Sequence, residues 1–158
     1  MATNSNKSLT DSLKEAESLL RNGGFALVYQ SGGSFIGKTG NGIKPLFEMA
    51  AEKDPKTGEV LADKVIGRAA AFLCLKIGFK AVFAFSMSEG AIKLFETAGV
   101  EWSCVEKTDR ILNRRGDDLC PMEKATMECK NEEEAYLAIR RKLVEFGLIE
   151  ENYGKDQR

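Results

Sequence analysis

The residues of this chain that could do chemistry lie in two segments, one around Asp63 and one around Cys120. Asp63 and Lys64 lead into an apolar, alanine-rich stretch, so we expect Asp63 to cap a buried helix over 63–77. A carboxylate placed there could act as a general base at the mouth of a pocket, with Lys64 beside it, or it could serve only as a cap. The two roles are compatible.

The second segment has the composition of a helix start, with Cys120 at the cap, Pro121 at the first position and Glu123 at the third. A helix N-terminus favours the thiolate form of a cysteine, and Arg114 could favour it further, so Cys120 is a candidate nucleophile. The alternative is a small packed residue. Asn113 and Arg114 could contact a planar or anionic ligand, with Glu123 nearby, or they could belong to a solvated loop.

Other catalytic groups are scarce because the chain contains no histidine. Chemistry must therefore use carboxylate, lysine, hydroxyl or thiol groups. The four cysteines form no CxxC pair, so we expect neither a structural zinc site nor a disulfide framework, and we predict no cofactor.

Bulk composition predicts a single domain over residues 1–158, with flexible ends at 1–7 and 152–158. A net charge of -1 gives no basic excess for nucleic acid, and no apolar run approaches a membrane span. The polar N-terminus lacks a signal core, so we expect a cytoplasmic protein. The oligomeric state is open, and a homo-oligomer is one alternative.

The order of elements predicts a three-layer α/β/α sandwich with a mixed central sheet. A hairpin supplies the antiparallel part, and the later strands are parallel. The predicted helices cover residues from 8 to 23, 45–52, 63–77, 88–98 and from 131 onward; the predicted strands cover 25–30, 35–38, 81–85 and 100–105; a surface turn covers 54–58.

Polar residues also follow the apolar strand 81–85, where open α/β sheets place their ligands. Ser86, Ser88 and Glu89 are therefore candidates for ligand binding. The alternative for Ser88 is a helix cap, with Glu89 favourable in the first turn for the same helix.

A glycine-rich segment, residues 32–39, matches the phosphate-loop pattern GxxxxGK[ST]. A phosphate loop needs its lysine and threonine to open a helix, but Lys38 is followed by Gly40, Gly42 and Pro45, which oppose one. We therefore expect a hairpin strand followed by a loop, with binding of a nucleoside triphosphate as the alternative.

Several of these segments together resemble a family of small prokaryotic proteins of unknown function with a cytidine deaminase-like fold. The resemblance spans about residues 9–148 and is carried by residues 25–30, 40–46, 62–71 and 86–88, by Asn113-Arg114, and most specifically by the Cys-Pro-Met-Glu element at 120–123. It implies a central sheet between helices and a pocket at the starts of two central helices, here residues 63–65 and 88–91. Deaminases hold zinc there through His-x-Glu and Cys-x-x-Cys, and this chain has neither.

The sequence as a whole predicts a protein that binds a small polar ligand, nucleoside-like in character, on a deaminase-like scaffold without its zinc motif. Whether it is an enzyme is open: Cys120 could be a nucleophile, or Asp63 a base with Lys64 or Arg114 stabilising negative charge. A binding or regulatory role is the alternative. The predicted pocket residues are Asp63, Lys64, Ser86, Ser88, Asn113 and Cys120, with Lys38 and Asn41 approaching from the glycine loop.

Overall fold

A computed structural model describes residues 8–52 and 59–155. The turn predicted at 54–58 and the flexible end predicted at 1–7 lie outside the described residues. The elements are α1 (Leu9–Gly23), β1 (Leu27–Ser31), β2 (Ser34–Lys38), α2 (Lys44–Glu52), β3 (Val60–Ile66), α3 (Arg68–Ile77), β4 (Ala81–Ser88), α4 (Glu89–Ala98), β5 (Glu101–Thr108), α5 (Pro121–Thr126) and α6 (Glu132–Glu145).

The five strands form one mixed sheet in the order β2-β1-β3-β4-β5. The hairpin β1–β2 is antiparallel, and β1 also pairs antiparallel with β3. The strands β3, β4 and β5 are parallel to one another. The prediction of an α/β fold whose hairpin supplies the antiparallel part of a mixed sheet is therefore confirmed.

Side chains alternate across the central strands, so each face of the sheet has its own core. Val60 and Ala62 pack in a cluster with Leu13, Ala16 and Leu20 of α1. The other face carries the larger cluster, which joins the sheet to the remaining helices; its fully buried members include Phe47, Leu61, Phe72, Phe95, Ile139 and Leu143. The sheet is thus flanked by helices on both faces.

The prediction of a helix starting at Asp63 is wrong, because residues 60–66 form the central strand β3 and the helix begins only after Gly67. Asp63 lies opposite Leu27 of β1 and Ala84 of β4. The β-branched residues of this stretch suit a strand that is hydrogen-bonded on both sides, and this tertiary pairing outweighs the helix propensity of its alanine. Asp63 is consequently a strand residue and caps nothing.

Three helix starts carry side-chain caps, and the alternative of a helix cap at Ser88 is confirmed by its hydrogen bond. Ser8 Oγ accepts from Asp11 N at 3.0 Å, and Ser88 Oγ accepts from Ala91 N at 3.1 Å. Asn131 Oδ1 accepts from Glu134 N at 2.9 Å. Each cap satisfies a backbone donor that the helix leaves open at its start.

The hairpin prediction for the glycine-rich segment is confirmed as well. Gly32 and Gly33 form the turn with positive φ angles of 58° and 86°, which explains the need for glycine there. Residues 34–38 return as β2, so Lys38 ends a strand and opens no helix. The alternative of a phosphate loop therefore lacks the helix N-terminus on which that site depends.

Within the described residues, no helix combines the length and apolar character needed to cross a membrane.

Candidate ligand-binding cleft

A cleft of about 630 Å³ opens where β3 ends and α3 begins. Its walls come from the loop before α2, the end of β3, the loop after β5, the start of α5 and the chain that follows α6. The lining residues include Asn41, Ile43, Lys44, Asp63, Lys64, Val65, Ala69, Ala70, Ile111, Leu112, Asn113, Arg114, Cys120, Met122, Glu123, Phe146 and Leu148. The carboxyl ends of sheet strands are where open α/β proteins place ligands, and this cleft follows that rule.

Asp63 is the ionisable group of the cleft with the most altered environment. Burial raises the pKa of its carboxyl group to about 7, against opposing contributions from the backbone N–H of Lys64, the Lys64 ammonium and the backbone N–H of Val65. The Lys64 N–H donates to Asp63 Oδ1 at 2.6 Å. The residue as a whole keeps partial exposure while its carboxyl group is desolvated. Asp63 is therefore placed to gain or lose a proton near neutral pH.

The effect of this carboxylate reaches the helix behind it. Cys74, buried in α3, has its pKa raised well above the ordinary value by burial and, to a lesser degree, by the charge of Asp63. A raised thiol pKa keeps Cys74 in the neutral form, so we assign this cysteine to packing.

Glu123, which was predicted to contact a ligand, caps the start of α3. Its Oε1 accepts from Arg68 N at 2.9 Å and its Oε2 accepts from Ala69 N at 3.0 Å. Gly67 at the N-cap has no side chain to do this, so the carboxylate of Glu123, 55 residues after Arg68, supplies the cap. The negative charge also suits the positive end of the helix dipole.

Gly67 is required by this arrangement. A Cβ atom at Gly67 would lie 2.7 Å from Glu123 Cδ and Oε2 and 2.7 Å from Ile111 Cγ1. The backbone conformation is ordinary, so glycine is needed here for close approach and not for its φ angle. The start of α3, the start of α5 and the loop after β5 meet at this residue.

Arg68 completes the link between the two helices from the opposite direction. Its Nε donates to the Thr126 carbonyl at 3.1 Å and its Nη2 donates to the Cys129 carbonyl at 2.7 Å. The Thr126 carbonyl lies in the last residue of α5, where helices leave acceptors without partners, and the Cys129 carbonyl lies three residues beyond it. Glu123 and Arg68 thus fix α5 against α3 at both of its ends, and α5 forms one wall of the cleft.

The structure brings together seven of the residues singled out from the sequence. The cleft is lined by Asn41, Asp63, Lys64, Asn113, Arg114, Cys120 and Glu123. Four others lie outside its lining: Lys38 ends β2, Ser86 lies in β4, Ser88 caps α4 and Glu89 begins α4. The second helix start at the cleft is that of α5, where the resemblance had implied that of α4.

Asn113 lines the cleft with its amide already engaged. Its Oδ1 accepts from Gly116 N at 2.8 Å and from Asp117 N at 3.2 Å, and its Nδ2 donates to Asp117 Oδ1 at 3.0 Å. This side chain therefore shapes the loop that carries Arg114. Cys120 is the N-cap of α5 as predicted, and its side chain makes no cap hydrogen bond.

Two parts of the cleft have no counterpart among the sequence predictions. Phe146 and Leu148 follow α6 and line the cleft while remaining about half exposed, each at 48%. Gly67 is one of the small residues in this stretch that allow close approach to another element, but the neighbours that it approaches, Glu123 and Ile111, are distant in the sequence. The Cys-Pro-Met-Glu element at 120–123 predicts the start of α5, but it does not show that Glu123 caps α3.

The zinc site of deaminases, implied by the resemblance, does not fit the residues present. Both carboxylate oxygens of Glu123 already accept backbone N–H groups, which leaves Asp63 and Cys120 as the remaining ligand types in the cleft. In the part of the chain that the structure describes, no three His, Cys, Asp or Glu side chains are grouped so as to hold a metal ion.

Comparisons with known proteins agree with this fold. The family model described as a domain of unknown function (DUF1893), TM1506, matches residues 15–143. The chain is similar to the crystal structure of a DUF1893 family protein (TM1506) from Thermotoga maritima, with a TM-score of 0.74 and 27% sequence identity, over 84% of this chain and 90% of that chain. No curated protein matches the chain. Because the family model covers most of its length, including every residue from β1 to α5, this chain belongs to the DUF1893 family.

Proposed function

We propose that this protein binds a small polar molecule, nucleoside-like in size and shape, in the cleft beside Asp63. The observation that carries the proposal is a carboxyl group with a pKa of about 7 at the buried side of a cleft of about 630 Å³. Small-molecule sites in proteins usually measure about 300 to 1,000 Å³ and combine apolar walls with a few polar groups. The cleft has this size and this composition.

The apolar walls support a ligand with a flat body. Val65, Leu112, Phe146 and Leu148 line the cleft and are 46 to 48% exposed. Exposed apolar side chains scattered singly are ordinary, but four that share one concave surface favour a binding site. The Asn41 amide at the rim is available to a polar edge of the same ligand, because it makes no hydrogen bond to the described residues.

If the protein is an enzyme, Asp63 is the favoured acid or base. A catalytic group works best when its pKa is close to the working pH, and burial brings Asp63 there. Lys64 and Arg114 lie in the same cleft and could stabilise negative charge that develops on a substrate. Cys120 is the weaker candidate, because its thiol makes no hydrogen bond to a base in the described part of the chain.

The deaminase-like scaffold is part of the same proposal. It is supported by the mixed sheet between helices and by a pocket at the start of a central helix, α3. Since the zinc ligands do not fit, no reaction step is assigned to a metal. The proposal is therefore that the cleft binds a ligand and that Asp63 can exchange a proton with it.

A thermal-shift screen of nucleosides, nucleotides and bases tests the proposal. A ligand at 100 times its Kd stabilises a protein by about 2.7 kcal/mol, which raises the Tm of a chain of this size by roughly 5 to 10 °C. We expect the shift of a hit to be lost or at least halved in Asp63→Asn and kept in Asp109→Asn, a carboxylate that is 83% exposed and outside the cleft. An unchanged shift in Asp63→Asn, or a library without hits, would count against the proposal.

A further inference from the structure

The cleft carries more positive than negative charge, although the whole chain has a net charge of -1. Its lining includes three cations, Lys44, Lys64 and Arg114, and two acids, Asp63 and Glu123. Glu123 is committed to the backbone of α3, and Asp63 is only partly ionised near neutral pH. The cleft should therefore attract an anion, although the protein as a whole is weakly negative and repels anions slightly.

Arg114 differs from the neighbouring arginines in having no ion-pair partner among the residues that the structure describes. Arg115 lies 3.6 Å from an oxygen of Asp117, and Arg110 lies 3.6 Å from an oxygen of Asp109. Arg114 makes neither an ion pair nor a hydrogen bond with any residue that the structure describes. Arg110 and Arg115 are thus paired with carboxylates, whereas Arg114, which lines the cleft, has no such pair within residues 8–52 and 59–155.

Lys64 lines the same cleft as Arg114. It follows Asp63 in β3, is exposed, and has no carboxylate within ion-pair distance among the described residues. Lys44, the third cation, lies 4.0 Å from a Glu48 oxygen and is partly neutralised by it. The unpaired positive charge is therefore concentrated on Lys64 and Arg114.

We propose that Lys64 and Arg114 form an anion subsite of the cleft, so that the ligand carries a carboxylate or phosphate group next to an apolar body. This inference rests on the proposed ligand-binding role of the cleft. A guanidinium group binds a carboxylate or phosphate through two parallel N–H donors, and an ammonium group adds a point charge. The apolar body would contact Val65, Phe146 and Leu148, which line the same cleft.

Three matched probes test the subsite by calorimetric titration: phenyl phosphate, benzoate and the uncharged benzyl alcohol. We expect phenyl phosphate or benzoate to bind at least about tenfold more tightly than benzyl alcohol, since a hydrogen bond to a charged group contributes more than a neutral one. Comparison of phenyl phosphate with benzoate identifies which anion the site prefers. Higher salt should weaken the binding of both anions and leave that of benzyl alcohol unchanged.

Arg114→Gln and Lys64→Gln are the test variants, and Arg115→Gln is the matched control because it removes the same charge one residue away. We expect about a tenfold loss of anion affinity in each test variant and less than a twofold change in the control. Equal losses in Arg114→Gln and Arg115→Gln would overturn the subsite, because only a diffuse field would remain. Equal affinity for all three probes would also overturn it while leaving the cleft as a binding site; failure of every probe to bind would count against both proposals.

Discussion

Asp63 combines a central position in the sheet with a carboxyl group whose pKa is close to neutral. It sits in a central strand, yet its side chain is a carboxylate, and burial moves its pKa from 3.8 to about 7. A buried carboxyl group of this kind costs stability when it ionises, because its charge is separated from water. Groups with such altered pKa values are typical of functional sites, where a side chain must bind or release a proton.

Replacing Asp63 with asparagine should stabilise the protein at high pH. The folded state holds the Asp63 proton up to about pH 7, while the unfolded chain releases it near 3.8, so the stability of the native protein falls as pH rises between those values. Asp63→Asn removes this pH-dependent contribution to the free energy of unfolding while keeping an acceptor for the Lys64 N–H. We expect its stability relative to the native protein to increase by about 2 kcal/mol from pH 4 to pH 8, a value discounted for the partial exposure of the residue.

Urea unfolding at several pH values measures this difference. Asp109→Asn is the control, because that carboxylate is largely exposed and lies outside the cleft. A constant difference for Asp63→Asn across the same range would mean that the carboxyl group titrates in the ordinary range and is not desolvated.

Glu123 offers a second residue-scale prediction. Its two oxygens accept the first N–H groups of α3, and an amide in its place could accept only one while opposing the other with its own N–H group. We expect Glu123→Gln to destabilise the protein by about 2 kcal/mol. Glu128→Gln, an exposed residue just after α5, should change the free energy of unfolding by less than about 0.5 kcal/mol; similar values for the two variants would contradict the capping role.

At the scale of elements, the junction of α3 and α5 decides the shape of the cleft. Glu123 reaches from the start of α5 to the start of α3, and Arg68 reaches back to the last carbonyl of α5 and to the Cys129 carbonyl that follows it. These contacts put a short helix of six residues in a fixed place. A helix of that length has little stability of its own and depends on such tertiary contacts.

Gly67→Ala should disrupt this junction. The added methyl group would lie 2.7 Å from atoms of both Glu123 and Ile111, and overpacking of this kind typically costs about 1 to 3 kcal/mol. Gly90→Ala is the control in α4, where the nearest atoms lie 3.8 and 3.9 Å away. Because alanine favours a helix, we expect the control to be neutral or slightly stabilising, by up to about 1 kcal/mol.

Thermal unfolding compares the two alanine variants under one condition. If Gly67→Ala were as stable as Gly90→Ala, the close packing of α3, α5 and the loop after β5 would be disproved.

The elements that the sequence predicted well are those set by local chemistry. Ser8, Ser88 and Asn131 act as caps through N–H groups three residues later, and the glycine turn of the hairpin depends on two φ angles. β3 was missed because its alanine, and those that follow in α3, favour a helix, whereas its pairing with β1 and β4 involves distant residues. The location of Asp63 in the cleft was predicted for a wrong structural reason.

Nonlocal contacts also explain which site residues were misplaced. Ser86 and Ser88 end a strand, as expected, but the cleft opens beside the neighbouring strand β3. Asn113 has an amide that could bind a ligand, but its oxygen already accepts hydrogen bonds from Gly116 and Asp117 of its own loop. Neither outcome can be read from residue types alone, because both depend on how separate segments meet.

At the scale of the whole molecule, the C-terminal segment closes the fold against α2 and α6. The Tyr136 hydroxyl donates to the Gly154 carbonyl at 2.6 Å, and Arg140 Nε donates to the Tyr153 carbonyl at 2.8 Å. Phe47 stacks on Tyr136 with ring centroids 4.9 Å apart. Residues 152–155, for which the sequence predicts flexibility, therefore contact α6, and the chain between Phe146 and Leu148 is held at the cleft.

Tyr136→Phe should loosen this segment locally. The change keeps the ring and removes the hydrogen bond to Gly154, so we expect a loss of about 1 kcal/mol and faster hydrogen exchange at the amides of Tyr153 and Lys155. Exchange in β4, which is hydrogen-bonded to a strand on each side, serves as the internal reference. Unchanged exchange at both amides would show that the tyrosine hydroxyl does not hold the segment.

Crystallographic soaking with small fragments shows directly whether the cleft beside Asp63 is the ligand site of this protein. A set of nucleosides, aromatic amides, aryl phosphates and aryl carboxylates should give bound molecules that touch Asp63 or Val65, with acidic fragments directed at Arg114. A second groove, lined by Phe72, Phe79 and Lys93 between α3 and α4, provides the comparison within the same crystal. Fragments that gather in that groove while leaving the Asp63 cleft empty would contradict the account.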